Sequence, residues 1–132
     1  MIRSGEGIVS AELCDRMGHF TTRYYTAAFD DASYVLAESC GLIPDQKTGF
    51  ADIELNMKFV AEIREGDRYY IKSGFLKLGN SSFTALHHMF KQSDDSLVAT
   101  CEEKAVVFDL EKRKSMPMPE KFRELAGKFL VD

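Results

Sequence analysis

The chain has 132 residues, 45% apolar and 29% charged, enough to bury one substantial core and indicative of a single domain over residues 1–132. Its net charge of -4 argues against wholesale electrostatic binding to nucleic acid or an anionic membrane, but allows a small basic patch for a phosphorylated ligand. No apolar run approaches the roughly 18 residues that span a bilayer, and MIRSGEGIVS lacks a signal-type apolar segment, so a cytoplasmic protein without a membrane partner is expected.

A short strand is expected within Ile2 to Leu13. It is followed by CDRMGHFTTRYY, Cys14 to Tyr25, in which an acidic residue, a Gly-His pair and two threonines precede an aromatic run. Thr21 to Cys40 reads as one helix, because Tyr25, Phe29, Ala32 and Leu36 recur at helical spacing. Thr21 or Thr22 can cap it, Gly41 stops it and Pro44 lies just beyond. From Ala51 to Phe59 the period changes to two: Ala51, Ile53, Leu55, Met57 and Phe59 alternate with Asp52, Glu54, Asn56 and Lys58. That alternation predicts a strand with the odd residues on a core and the even ones on a polar face.

A turn at Gly66 leads to a strand over Arg68 to Leu78, Gly79-Asn80 turns it, and a third runs from Ser82 to Lys91. QSDDS turns again, Leu97 to Asp109 forms a long Val/Ala/Thr-rich strand, and Pro119 opens an amphipathic helix carrying Phe122, Leu125 and Phe129. A long apolar helix beside an antiparallel sheet must bury itself on that sheet, so the fold class is α+β, with a dimer to cover the remaining sheet surface.

Cys14, Cys40 and Cys101 are odd in number, widely spaced and without a C-x-x-C, which indicates inert thiols and no disulfide framework or zinc site. His87 and His88 are neighbours on a strand, so they point to opposite faces and cannot chelate one metal; no metal constellation is visible. Two readings of the segment from Asp15 to Thr22 remain open on residue types alone. It is a turn and a helix cap, or it is a site in which a carboxylate and the free amides of a helix start face one ligand atom. In the second reading Gly18 lets the backbone approach the ligand and His19 sits within the loop.

These residues resemble the hotdog-fold acyl-CoA thioesterases of the 4-hydroxybenzoyl-CoA thioesterase type. The likeness lies in D-x-M-G-H, two small polar residues and a helix beginning YYTAAFDDAS. It continues through the alternating strand ending in REGD, LKLGNSSFTALHHMF, LVATCEEKAVVFDLEKRK and PMPEKFREL, roughly from Gly7 to Leu125.

The resemblance implies a curled antiparallel sheet wrapped round the long helix, a dimer joined edge to edge and often a dimer of dimers, with active sites at the dimer interface. Asp15 matches the catalytic aspartate, Thr21 and Thr22 the helix N-terminal amides, and Gly18 and His19 the G-H step. Many relatives carry asparagine where this chain has Thr21-Thr22, so an amide side chain for positioning water is missing. No cofactor is implied, CoA being part of the substrate. GHFTTRYYTAAFDDAS and LHHMF with LVAT are most similar to the betainyl-CoA thioesterase-like branch associated with carnitine breakdown.

That branch implies a short acyl group, with a quaternary ammonium held over the rings of Tyr24, Tyr25, Phe29 or Phe50. Glu54 and Asn56 become pocket residues if a partner covers their face, and Lys112, Arg113 and Lys114 form the densest basic cluster for CoA phosphates. The expected activity is hydrolysis of an acyl-CoA thioester. A non-catalytic acyl-CoA-binding hotdog module is the alternative. A hydratase is disfavoured, since Asp15 and His19 are the only Asp/His pair near the helix.

Overall fold

The helical spacing around Tyr25 and Leu36 yields the expected long helix, α1 (Thr22–Ser39), in a computed structural model that describes residues 1–131. Thr21 occupies its N-cap position. At the other end, Leu42 N–H donates to the Ala37 carbonyl and Gly41 N–H to the Glu38 carbonyl, both at 3.0 Å, with Gly41 at φ +86°. This is a Schellman stop, and it needs a residue tolerant of the left-handed region.

The strands are β1 (Ile2–Ile8), β2 (Thr48–Phe59), β3 (Arg68–Leu78), β4 (Ser82–Lys91), β5 (Ser96–Asp109) and β6 (Lys114–Ser115). They form one antiparallel sheet in the order β1-β3-β4-β5-β2, with β6 appended to β5. The hairpins β3-β4 and β4-β5 run as their turn residues predict. β1 ends at Ile8, short of the expected Leu13, because the chain bends into a single 3-10 turn over Ala11–Leu13. α2 (Glu120–Gly127) follows Pro119 and buries Phe122 and Ala126. The expected α+β hotdog architecture is therefore what the chain adopts: a curled sheet with α1 on its concave face.

The inner face of the sheet divides into three zones. Leu36, Ala37, Phe75, Phe83, Ala105, Val107 and Phe122 make one apolar cluster. Phe20, Tyr25, Phe29, Ala32, Ile71, Met89, Val98, Ala99 and Cys101 make a second. Between them lies a buried polar belt of Ser33 on α1, Ser73 on β3, His87 on β4 and Glu103 on β5, which Ser4 extends on β1. Each belongs to the inward-facing row of its element, one step from a core residue on either side.

β2 departs from its simple alternation. Its register against β5 shifts between Asp52, opposite Ala105, and Glu54, opposite Lys104, so Ile53 is an extra residue. This bulge changes parity. Phe50 and Asp52 above it, with Leu55, Met57 and Phe59 below it, fall opposite the inward-facing Val107, Ala105, Glu103, Cys101 and Ala99. Asp52, expected on the polar face, thus turns toward α1. Pairing only with β5, β2 is also an edge strand, and Ile53, Leu55 and Phe59 remain exposed rather than covered by the chain's own core.

Candidate active site

The loop before α1 is held by Asp15. Its Oδ1 accepts the amides of Met17 at 2.9 Å and His19 at 3.1 Å, and its own amide donates to the His19 carbonyl at 2.9 Å. Gly18 has φ +80° and open space where a Cβ would stand. The turn conformation, rather than a close backbone approach, is what requires glycine there. One carboxylate oxygen is thereby fixed, while Oδ2 has no hydrogen-bond partner among the described residues. A half-buried carboxylate anchored in this way is oriented through one oxygen, with the other left for a ligand.

The helix start offers amides to the same space, though not the pair expected. Thr21 N–H is consumed by the Leu13 carbonyl at 3.0 Å, and the Thr21 hydroxyl makes no capping bond. Intrahelical bonding begins with Tyr24 N–H to the Thr21 carbonyl at 2.9 Å. The unpartnered amides among the described residues are therefore those of Thr22 and Arg23, and these carry the partial positive charge of the helix start. Thr21 is corrected from a carbonyl-polarising residue to a structural one.

Asp15, His19, Phe20, Thr22, Tyr25, Phe59, Val60, Ala61, Glu62 and Ile63 line a groove of about 420 Å³. The structure brings Asp15, His19, Thr22 and Tyr25 together as expected, with Gly18 in the adjoining turn. It adds Phe59 to Ile63 from the β2-β3 connection, and His19 Nε2–H donates to Glu62 Oε1 at 2.5 Å. Glu62 was not singled out in the sequence because only folding across 43 positions makes it a neighbour of His19. Cys14, beside the loop, is no candidate nucleophile. Burial, with Glu65 and Asp15 nearby, raises its thiol, and its Sγ–H is turned to the Ser10 carbonyl.

The aromatic residues expected at the site, including Tyr25 at the groove wall, are engaged in packing, and the remaining expected residues lie elsewhere. The Arg23 guanidinium stands over the Tyr24 ring at 5.0 Å, Tyr25 is buried edge-to-face on Phe20 and Phe59, and Phe50 packs between Tyr34 and Phe83. Phe29 is a core residue. These rings do not converge into a cation-binding cage, because α1 and β2 use them for packing. Glu54 and Asn56 line a separate hollow of about 280 Å³ on the outer face of the sheet, with Lys77, Lys104 and Glu102. Lys112 and Arg113 lie in the turn after β5 and Lys114 begins β6. They adjoin the Thr48 end of β2, about 35 Å from Phe59 along the strand at ~3.3 Å per residue.

Beneath α1 the polar belt is hydrogen-bonded in sequence. Ser4 Oγ–H donates to the Ile71 carbonyl at 3.3 Å and lies 2.6 Å from Ser73 Oγ; Ser73 Oγ lies 2.6 Å from His87 Nδ1; and His87 Nε2 lies 2.9 Å from Glu103 Oε1. With the Ser4 proton on Ile71, Ser73 donates to Ser4 and His87 donates from Nδ1 to Ser73. Nε2 then needs a proton from the Glu103 side. Burial pushes His87 down to about 4 and raises the Glu103 carboxyl, so the imidazole is held neutral beside a carboxyl whose charged form is disfavoured by desolvation. His87 is a fully buried strand histidine with His88 on the opposite face, as its position predicts.

Residues 9–125 match the family model of the thioesterase-like superfamily. The chain belongs to this superfamily. Solved structures agree in fold. A Staphylococcus aureus hypothetical protein in complex with CoA aligns at TM-score 0.87 and 19% identity, covering 100% of this chain and 89% of that one. A gentisyl-coenzyme A thioesterase aligns at TM-score 0.80 and 25% identity, covering 92% and 97%. A 1,4-dihydroxy-2-naphthoyl-CoA thioesterase from Synechocystis aligns at TM-score 0.79 and 16% identity, covering 93% of each chain. Among curated proteins none matches. No helix of this superfamily member, among the described residues, is long and apolar enough to cross a membrane.

Proposed function

We propose that this thioesterase-superfamily chain hydrolyses acyl-CoA thioesters in the groove between Asp15 and the start of α1. The observation that carries the reading is the presence, in one groove, of a carboxylate with a free oxygen and of Thr22, whose unpartnered amide opens α1 with that of Arg23 next to it. A thioester carbonyl oxygen placed against those amides gains most as negative charge develops on it in the tetrahedral transition state. Asp15 Oδ2 then either attacks the carbonyl carbon or takes a proton from the attacking water. The departing thiol has an ordinary pKa of about 8.5, so it leaves as thiolate without a strong general acid. That suits a groove whose ionisable groups are Asp15, His19, Glu62 and Tyr25, the last pushed up to about 12 by burial. His19, tied to Asp15 through the backbone and to Glu62 through its ring, positions the loop.

The same reading includes a homodimer formed by β2 edges. A free strand edge flanked by exposed Ile53, Leu55, Phe59 and Val60 needs cover. Antiparallel pairing of two β2 strands sets the Thr48 end of one copy beside the Phe59 end of the other. The Lys112–Lys114 turn of one protomer thereby approaches the groove of its partner, where CoA phosphates need cations.

The test is thiol release from a panel of short, aromatic, long-chain and betainyl CoA thioesters by the wild type and Asp15→Asn. Release that depends on Asp15 supports hydrolysis. CoA-dependent thermal stabilisation with no release from any substrate would instead identify a binding module.

A further inference from the structure

Two walls of the Asp15 groove are joined at His19. This residue forms an antiparallel bridge with Arg64, and the neighbouring Phe20 N–H donates to the Ile63 carbonyl at 3.3 Å. The loop that carries Asp15 and the β2-β3 connection are thus held together by backbone contacts alone. The side-chain contact between His19 Nε2 and Glu62 Oε1, at 2.5 Å, is added to them. As a staple it contributes little, since 43% of the His19 side chain and 52% of the Glu62 side chain are exposed. Yet both residues line the groove with Asp15 and Thr22.

What the pair does fix is the imidazole. A carboxylate only accepts, so Nε2 carries the proton, and Nδ1 of the neutral ring is left as a lone-pair acceptor. Nδ1 has no hydrogen-bond partner among the described residues. The His19 amide lies 3.1 Å from Asp15 Oδ1, so the free ring nitrogen and the free carboxylate oxygen belong to residues in direct contact. A base oriented by a third group beside a nucleophile is the arrangement that covalent catalysis uses. The other histidines offer nothing comparable. His87 is buried with both ring nitrogens engaged, and His88 lies on the opposite face of the sheet.

We propose that His19, positioned by Glu62, is the base that activates water in this groove, which leaves Asp15 to act as the nucleophile. The proposal rests on the hydrolase reading above and decides between its two routes for Asp15. In the first step Asp15 Oδ2 bonds to the carbonyl carbon, the C–S bond breaks and CoA leaves as thiolate, giving a mixed anhydride. In the second, water attacks the acyl carbon, its proton passes to His19 Nδ1, and the C–O bond to Asp15 breaks, which restores the carboxylate. The imidazolium, still bonded to Glu62 at Nε2, then gives its proton to solvent. The work divides this way because imidazole is the stronger base of the two side-chain types. Glu62 touches neither water nor acyl group and is a positioning residue: it holds the ring and balances the charge the ring acquires.

The experiment follows thiol release by quenched flow on the full-length protein with acetyl-, benzoyl-, palmitoyl- and betainyl-CoA, and weighs the intact protein in the same quench. In His19→Gln the first step survives and the second is slowed. A burst near one thiol per protomer is expected, then a steady rate about a hundredfold below the wild type's, on protein heavier by the acyl group. Adding Asp15→Asn should abolish both burst and mass gain. Glu62→Ala should give the same burst with a steady rate about tenfold lower, and Glu62→Gln, whose carbonyl oxygen still accepts from Nε2, should recover part of that loss. A purely structural role would slow burst and steady rate together. Slowed release without burst or acyl adduct, or unchanged turnover in both His19→Gln and Glu62→Ala, would overturn the proposal while the hydrolase reading stands. No release by the wild type from any of the four thioesters removes the hydrolase reading and this one with it.

Discussion

Asp15 and His19 are tied by a reciprocal pair of backbone contacts. The His19 amide donates to Asp15 Oδ1 at 3.1 Å, and the Asp15 amide donates to the His19 carbonyl at 2.9 Å. The bracket holds the carboxylate by one oxygen and leaves the other facing the groove. Asn at this position keeps an oxygen acceptor for the turn but removes the charge and basicity. Asp15→Asn should therefore lower kcat roughly a hundred- to ten-thousand-fold, with a melting temperature close to the wild type's. Thiol release and thermal denaturation on the same preparation check this.

Gly18 closes that bracket at φ +80° with open space around the missing Cβ. Gly18→Ala is therefore a strain test without a clash. It should destabilise the protein by about 1 kcal/mol, a few degrees of melting temperature, and reduce turnover by shifting Asp15. Chemical denaturation and kcat measured together distinguish it from a steric defect.

Glu103 closes the belt of Ser4, Ser73 and His87, and desolvation disfavours its charged form, so glutamine is its neutral isostere. In Glu103→Gln the side-chain amide donates to His87 Nε2 and the carbonyl oxygen faces Asp52. It should lie within about 1 kcal/mol of the wild type, whereas Glu103→Ala strands His87 and costs about 3 kcal/mol. Urea unfolding of the two variants decides the matter, because an ionised Glu103 paired to a charged His87 would make glutamine nearly as costly as alanine.

Asp52 is pushed up to about 7 from an ordinary 3.8, first by desolvation and then by the Glu103 carboxyl. Because its folded value exceeds the unfolded one, the folded state holds more protons across that interval, and Asp52 lowers stability as pH rises from about 4 to 7. His87, held down to about 4, acts in the opposite sense: its stability contribution is lost as pH falls below the unfolded value of 6.5. Asp52→Asn removes the first effect and leaves His87, without the nearby carboxylate, still held down by desolvation. Its melting temperature should exceed the wild type's by more at pH 8 than at pH 5, as parallel thermal melts would show.

Ile53 is exposed at the bulge on the free edge of β2. Ile53→Lys adds charge to the proposed dimer edge and should convert a dimer into a monomer in light scattering, with lowered turnover because the partner's basic turn is removed. A wild type that is already monomeric would refute the edge-to-edge assembly.

Much of this protein can be read along the chain. Apolar spacing around Tyr25 and Leu36 settles α1, Gly41 its end, and the tight turns near Gly66 and Gly79 the bounds of β3 and β4, because these depend on local periodicity and on backbone conformations few residues adopt. Asp15 and Gly18 stand out for the same reason. What the tertiary structure alone decides is which groups meet. The Leu13 carbonyl takes the Thr21 amide, so Thr22 and Arg23 are left to polarise a ligand. Glu62 reaches His19 across the chain. One extra residue at Ile53 reverses the face of Asp52, and four polar side chains from separate elements align into a buried belt ending at Glu103. Period and propensity carry no information about hydrogen-bond partners distant in sequence, and a bulge is invisible in an alternation it interrupts without breaking.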